Sequence, residues 1–282
     1  MLHDASTQAR YADDVAAAVL ALATRHGIAR QRPRLIGLSG LQGSGKSTLA
    51  AQVVRMAQDS GIAALAISID DFYLGRYARR QLAQTVHPLL ATRGVPGTHD
   101  VALLLRTLDA LRTATARQPA YVPRFDKGRD TRIAPSRWRQ VRRMPDLVIL
   151  EGWCIGIPPQ AASQLRRYVN AFERDADGDA RWRSWVNAQL QAHYIALWQR
   201  LDCLAMLQAP AYAVVARWRD EQERALRRRH APRAMSPAAL TRFLMHYERL
   251  SRHALATLPA RADLRIVLDE RRGVRRIVAR EP

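Results

Sequence analysis

Residues 34–47 read Arg34-Leu35-Ile36-Gly37-Leu38-Ser39-Gly40-Leu41-Gln42-Gly43-Ser44-Gly45-Lys46-Ser47. A short apolar strand runs straight into glycines, and the segment from Gly40 fits G-x-x-x-x-G-K-[ST]. Glycines let backbone N–H groups turn inward around phosphate oxygens. A helix beginning near Lys46 adds the positive end of its dipole. The pattern assigns Gly40, Gly43, Ser44, Gly45, Lys46, Ser47 and Thr48 to a nucleoside triphosphate. Lys46 is expected on the β- and γ-phosphates and Ser47 on Mg²⁺.

Outward from that loop, short apolar strands alternate with helices. Strands are predicted at 34–39, 63–69, 147–150, 203–207 and 264–268, with an edge strand over 273–279. Helices are predicted at 11–26, from 49 to 57, and at 101–115, 185–200, 211–229 and 237–258. Residues 76–100 look loop-rich, and 121–137 irregular and charged. Fully apolar strands between helices argue for a parallel sheet covered on both faces. The expected class is α/β, a three-layer sandwich with a parallel, doubly wound sheet. In such sheets ligands sit beyond the carboxyl ends of the strands. Three apolar runs end there in polar clusters: the glycine loop, Asp70-Asp71 and Glu151.

Ser68-Ile69-Asp70-Asp71-Phe72-Tyr73 follows the second run. Phosphoryl transfer to an alcohol needs a carboxylate that accepts the hydroxyl proton. Asp70 is the leading candidate and Asp71 the second; an N-cap for the next element is the simpler alternative. Glu151, beside Gly152, is placed to hold Mg²⁺ or its water shell. The metal set expected is therefore Ser47, Asp70 and Glu151, and the catalytic set Lys46, Asp70 and Glu151.

Arg93-Gly94-Val95-Pro96-Gly97-Thr98-His99-Asp100 reads as a turn before a helix. Asp100 either caps that helix or accepts hydrogen bonds from substrate hydroxyls. Pro123-Arg124-Phe125-Asp126-Lys127 through Arg132 crowds cations and carboxylates into one loop, as functional and solvated loops both do. The helix carrying Arg217-Trp218-Arg219 and the Arg227-Arg228-Arg229 run is either a lid over the phosphates or an exposed basic helix with i,i+4 pairs.

The 282-residue chain carries a formal net charge of +20. Of its 45 basic residues only Lys46 and Lys127 are lysine. A mobile ammonium differs from a planar guanidinium, so both positions read as places where arginine will not serve. The charge suits anionic ligands and raises nucleic acid as a partner, but no stacking platform or nucleic-acid motif accompanies it. No run of 18 apolar residues spans a membrane, and residues 1–10 lack a signal-peptide pattern. Cys154 and Cys203 sit in apolar runs, as buried thiols of a reducing compartment do. A cytoplasmic protein of unspecified oligomeric state is expected.

Together the phosphate-binding loop, the Ser68–Tyr73 segment, the Arg93–Asp100 segment, Pro123–Lys127 and Glu151-Gly152-Trp153-Cys154-x-Gly156 resemble the D-glycerate 3-kinase family of the plant and fungal type. That family is related to uridine kinase, phosphoribulokinase and pantothenate kinase. The resemblance covers roughly residues 33–270. It implies a P-loop NTPase fold with a helical lid at about 210–235, a single kinase domain over 1–282, and a helical extension at 1–32. It implies ATP, Mg²⁺ and transfer to a hydroxyl of D-glycerate or a similar hydroxy acid. By analogy with uridine kinase, Asp70 is the base, and Asp126 and Arg132 contact substrate. The substrate set then comprises Asp71, Tyr73, Arg93, His99, Asp100, Arg124, Asp126, Lys127 and Arg132, with Arg217 of the lid on the nucleotide. The family's glycine-rich segment after the aspartate–lysine pair is shortened here to Gly128-Arg129-Asp130-Thr131-Arg132. A nucleoside, a sugar phosphate or a pantothenate-like acceptor, or an NTP-dependent nucleic-acid-binding role, stand as alternatives.

Overall fold

The computed structural model describes residues 11–25, 27, 31–228 and 235–280. Six strands form the main sheet: β1 (Arg34–Gly40), β2 (Ala64–Ser68), β3 (Leu147–Gly152), β4 (Cys203–Gln208), β5 (Leu264–Leu268) and β6 (Val274–Ala279). Their spatial order is β6-β5-β4-β1-β3-β2. The first five are parallel, and β6 closes one edge antiparallel to β5. An antiparallel edge is common on otherwise parallel sheets.

Side chains alternate between the two faces with the period of a strand. Val148 and Leu150 of β3 and Leu204 and Met206 of β4 pack into one core. Leu147 and Ile149, with Ala205 and Leu207, pack into the other. Helices α1 (Asp13–Thr24) and α2 (Lys46–Asp59) cover the second face. Helices α4 (Val101–Arg112) and α5 (Arg181–Gln189) cover the first. Helix α3 (Arg76–Thr85) lies where the sequence looks loop-rich. It is rich in arginine and buries only Arg79, so it has no apolar stripe to announce it. Helix α6 (Val214–Arg228) sends Val214, Val215 and Trp218 into the second core. Helix α7 (Pro237–Thr257) touches both cores, through Leu240 and Leu244 on one side and Tyr247 and Leu250 on the other. The helix run predicted to 200 passes through a π-turn at Leu190–Tyr194. The irregular stretch holds two ribbons, Ala120–Val122 with Arg139–Val141 and Phe125–Asp126 with Thr131–Arg132. No described helix is long and apolar enough to cross a membrane. The predicted Arg229 of the basic run lies outside the described residues, as do the side chains of Arg227 and Arg228.

Candidate active site

The central strand β1 ends in Gly40, and the chain turns over Gly43 and Gly45 before α2 begins at Lys46. Gly43 (φ 81°) and Gly45 (φ 87°) are both left-handed, where a side chain is strained. Space is short there too. A Cβ on Gly43 would stand 2.8 Å from Cβ of Trp218, and one on Gly45 3.1 Å from the Tyr11 ring. Tyr11 also donates its hydroxyl to the Ser44 carbonyl. Its backbone exchanges two hydrogen bonds with the Gln52 amide, at 3.1 and 2.7 Å. The loop is thus braced from outside by the N-terminal segment. Thr48 follows in the first turn of α2.

Neighbouring strands carry the carboxylates. On β3, Glu151 is buried, and its Oε1 accepts the Ser47 hydroxyl at 2.9 Å. Its Oε2 is buried without a partner among the described residues. An unsatisfied buried carboxylate oxygen beside a hydroxyl suits a hard cation with oxygen ligands.

Beyond β2, the chain makes a tight turn over Ile69–Phe72. Asp70 Oδ1 accepts the Tyr73 hydroxyl at 3.0 Å, and Oδ2 accepts Lys127 Nζ at 2.6 Å. Burial favours the neutral acid, but Lys127 and then Lys46 outweigh it and hold the carboxyl below its usual range. Both oxygens are therefore engaged by protein donors in this structure, Tyr73 on one and the Lys127 ammonium on the other. Asp71 faces elsewhere: its Oδ1 accepts the Phe125 N–H at 3.0 Å. Burial lifts its carboxyl to about 6.

The Arg93–Asp100 turn is clamped onto this segment. Leu74 N–H donates to the Thr98 carbonyl at 2.9 Å, and Asp100 N–H to the Phe72 carbonyl at 2.7 Å. Gly94 has φ 144°, and a Cβ there would fall 2.0 Å from the Tyr247 hydroxyl. His99 is buried; its ring stacks on Tyr73 at 4.5 Å and its Nδ1 meets the Tyr194 hydroxyl at 2.8 Å. Burial lowers its pKa to about 4, so the imidazole is neutral. Asp100 caps α4 through Leu103 N–H at 2.9 Å and accepts Arg132 Nη2 at 3.3 Å. Arg132 also donates to the Tyr73 carbonyl at 3.0 Å. Of the alternatives for Asp100, the cap is the one observed in this structure. His99, Asp100 and Arg132 stand behind Asp70 and Tyr73 and do not line the cleft.

That cleft measures about 990 Å³ and opens between Lys46 and Asp70 on one wall and Arg93, Lys127, Trp153 and Arg219 on others. Asp126 lines it too, while its Oδ1 accepts Arg129 N–H at 2.8 Å. Arg124 is exposed and is not part of the wall. Arg217 points away: its Nη2 sits 3.3 Å from the Glu270 carboxylate. Two residues on is a 200° rotation around a helix, so Arg219 occupies the cleft face instead. Its Nη2 donates to buried Glu223 at 2.7 Å.

Sequence reading places Arg217 on the nucleotide from the Arg217-Trp218-Arg219 helix and gives no role to Glu223 or, above all, to Asp130. Asp130 (φ 55°) accepts Arg79 Nη2 at 2.5 Å and also binds Arg93, with Arg76 Nε at 3.3 Å. Three arginines from two separate segments converge on one carboxylate and pin the loop after Lys127. The aspartate inside a shortened glycine-rich segment was the available signal.

No family model matches the chain. The uncharacterized kinase mug58 of Schizosaccharomyces pombe is 33% identical over 259 residues, spanning 86% of this chain and 90% of that protein. The chloroplastic D-glycerate 3-kinase of Arabidopsis thaliana is 30% identical over 256 residues, which is 86% of this chain but 54% of the plant protein. A solved D-glycerate 3-kinase of Cryptococcus neoformans superposes with a TM-score of 0.75 at 22% identity, covering 95% of this chain and 97% of that one. The last likeness is one of fold.

Proposed function

This chain belongs to the D-glycerate 3-kinase family of P-loop kinases, and from that premise we propose that it transfers the γ-phosphate of ATP to a hydroxyl of a small anionic metabolite, D-glycerate or a similar hydroxy acid. One observation carries the reading. Asp70 faces a cleft that also holds Lys46 of the phosphate-binding loop, and its basic side chains, Lys46, Arg93, Lys127, Arg129 and Arg219, outnumber its carboxylates, Asp70, Asp126, Asp130 and Glu223. An anionic acceptor fits such walls.

Gly40, Gly43, Ser44, Gly45 and Thr48 form the cradle for the triphosphate, and Lys46 meets its β- and γ-oxygens. Ser47 and Glu151 would hold Mg²⁺, and the unpartnered Oε2 of Glu151 fits that use. The ion, when bound, neutralises charge on the transferring phosphoryl group. Asp70 takes the proton of the acceptor hydroxyl as that oxygen joins the γ-phosphorus and the bond to the bridging oxygen breaks. Tyr73 holds the carboxylate in orientation through Oδ1, and His99 supports the Tyr73 ring. Arg219 replaces Arg217 as the residue offered to the phosphates. Arg93, Asp126 and Lys127 form the acceptor side. Asp71, Asp100 and Arg132 support the loops that carry them. The buried free thiols of Cys154 and Cys203 suit the reducing cytoplasm.

The test is ATP consumption over a panel of hydroxy acids, nucleosides and sugar phosphates, with Asp70→Asn as control. Turnover confined to hydroxy acids and lost in the control is expected. A rate that no acceptor raises overturns the proposal.

A further inference from the structure

The two partners of Asp70 differ in kind. Tyr73 belongs to the same turn, and its ring is fixed by stacking on His99 and by an edge contact with Phe125 at 5.5 Å. Lys127 reaches in from a loop, and its side chain is 60% exposed. The stem of that loop is anchored, through Phe125 N–H on Asp71 and through the three arginines on Asp130. The backbone of the tip is held as well, with the Lys127 carbonyl accepting Arg93 Nη2 at 3.3 Å, so the part free to move is the four-carbon side chain of Lys127.

The other cations of the cleft have counter-ions of their own. Arg93 is bound to Asp130, Arg219 to Glu223, and Arg129 faces Asp126 at 3.8 Å. Lys46 belongs to the phosphate-binding loop. Among the described residues of the cleft, Lys127 is the cation whose counter-ion is the carboxylate read above as the base.

We propose that Lys127 is a latch on Asp70 that the acceptor's own anionic group opens. The anion of the acceptor takes the ammonium, Oδ2 is released, and the acceptor hydroxyl donates to the freed oxygen. The idea rests on the reading of Asp70 as the base. It makes acceptor charge a requirement of the chemical step as well as of binding: a neutral alcohol leaves the latch closed. The Lys127 side chain is open to solvent while Asp70 is largely covered, so an anion entering the cleft reaches the ammonium directly and competes with Asp70 for it. The residue type fits the task. An ammonium on a flexible four-carbon stem moves between partners, whereas a guanidinium grips a carboxylate with two parallel hydrogen bonds. In a chain whose other basic residues are arginine except for Lys46, this position has kept the mobile cation.

The test compares D-glycerate with glycerol, which lacks the carboxylate, and with water, read as basal ATP hydrolysis. In the unsubstituted protein, propionate, an anion without a hydroxyl, raises basal hydrolysis several-fold by opening the latch. Lys127→Met raises KM for D-glycerate at least tenfold, raises kcat for glycerol and basal hydrolysis several-fold, and abolishes the propionate effect. Lys127→Arg keeps KM for D-glycerate within threefold and lowers kcat at least tenfold. A lysine that only binds substrate would raise KM in Lys127→Met and leave glycerol and water turnover unchanged; that result overturns the latch while the kinase reading stands. Lys127→Arg with unchanged kcat also overturns it. A protein that phosphorylates no hydroxy acid overturns both.

Discussion

The Ser47 hydroxyl donates to Glu151 Oε1 at 2.9 Å, although the two residues lie 104 positions apart. Side-by-side pairing of β1 and β3 in parallel register brings them together, with Ser39 opposite Gly152. Glu151→Gln keeps shape and size but removes the charge. The Mg²⁺ concentration giving half-maximal rate should rise about 10–100-fold, with the thermal midpoint nearly unchanged. A Mg²⁺ titration of initial rates checks it, and an unchanged dependence removes Glu151 from the metal site.

Asp70→Asn keeps the Tyr73 contact and deletes the proton acceptor. The expected loss in kcat is about 10²–10⁴-fold, with ATP affinity by calorimetry within a few-fold of the parent. A variant that retains full kcat shifts attention to Asp71.

Helical phase separates two neighbouring arginines. Arg219→Ala should lower kcat by about 10²–10³-fold if it serves charge on the transferring phosphoryl group. Arg217→Ala deletes an exposed ion pair with Glu270 and should change kcat less than about fivefold. Equal losses from the two would mean that the helix turns differently when nucleotide is bound.

Gly94→Ala forces a Cβ against the Tyr247 hydroxyl at a φ of 144°. The expected cost is about 2–4 kcal/mol, read as a lower denaturant midpoint at unchanged slope. A neutral outcome would show that Tyr247 gives way.

His99 titrates near 4 in the folded chain because burial penalises its charge, against about 6.5 when unfolded. The unfolded state therefore binds the proton first on acidification. Stability is full above about pH 6.5 and is lost as pH falls toward 4, by up to about 3 kcal/mol from this group. Asp71, lifted to about 6, acts with the opposite sign over part of the same range. The informative quantity is thus the difference between the parent and His99→Gln: the variant's stability should fall less steeply between pH 6.5 and 4.5. Parallel profiles would mean that His99 is charged in the fold.

The strand ends were readable because each is a local event. An apolar run, a turn and a polar residue occupy a dozen positions, and the loop at Gly40, Asp70-Asp71 and Glu151 all lie where that logic puts them. What escaped was long-range or depended on rotation. Asp130 draws on Arg76, Arg79 and Arg93 across 37 to 54 positions, and no spacing rule links them. Helix α3 was missed because the residue it buries is a guanidinium, and only its partner's position makes that burial affordable. His99, Asp100 and Arg132 were expected on the substrate, whereas here His99 Nδ1, Asp100 Oδ1 and Arg132 Nη2 bond to the scaffold and the three do not line the cleft. Charge pattern alone does not fix helix phase, so Arg217 and Arg219 were indistinguishable in sequence.

Tyr11 gives the first helix a meaning that its position in the chain conceals. It hands its hydroxyl to the Ser44 carbonyl and ties its backbone to Gln52 of α2. A shortened version beginning at β1 would retain every motif residue, yet would leave the outer side of the nucleotide loop without its brace. Anyone trimming this protein for crystallisation or fusion should keep residues 11–24, because their loss would unbrace the nucleotide loop and also uncover the core that Val15, Val19 and Leu22 close over one face of the sheet.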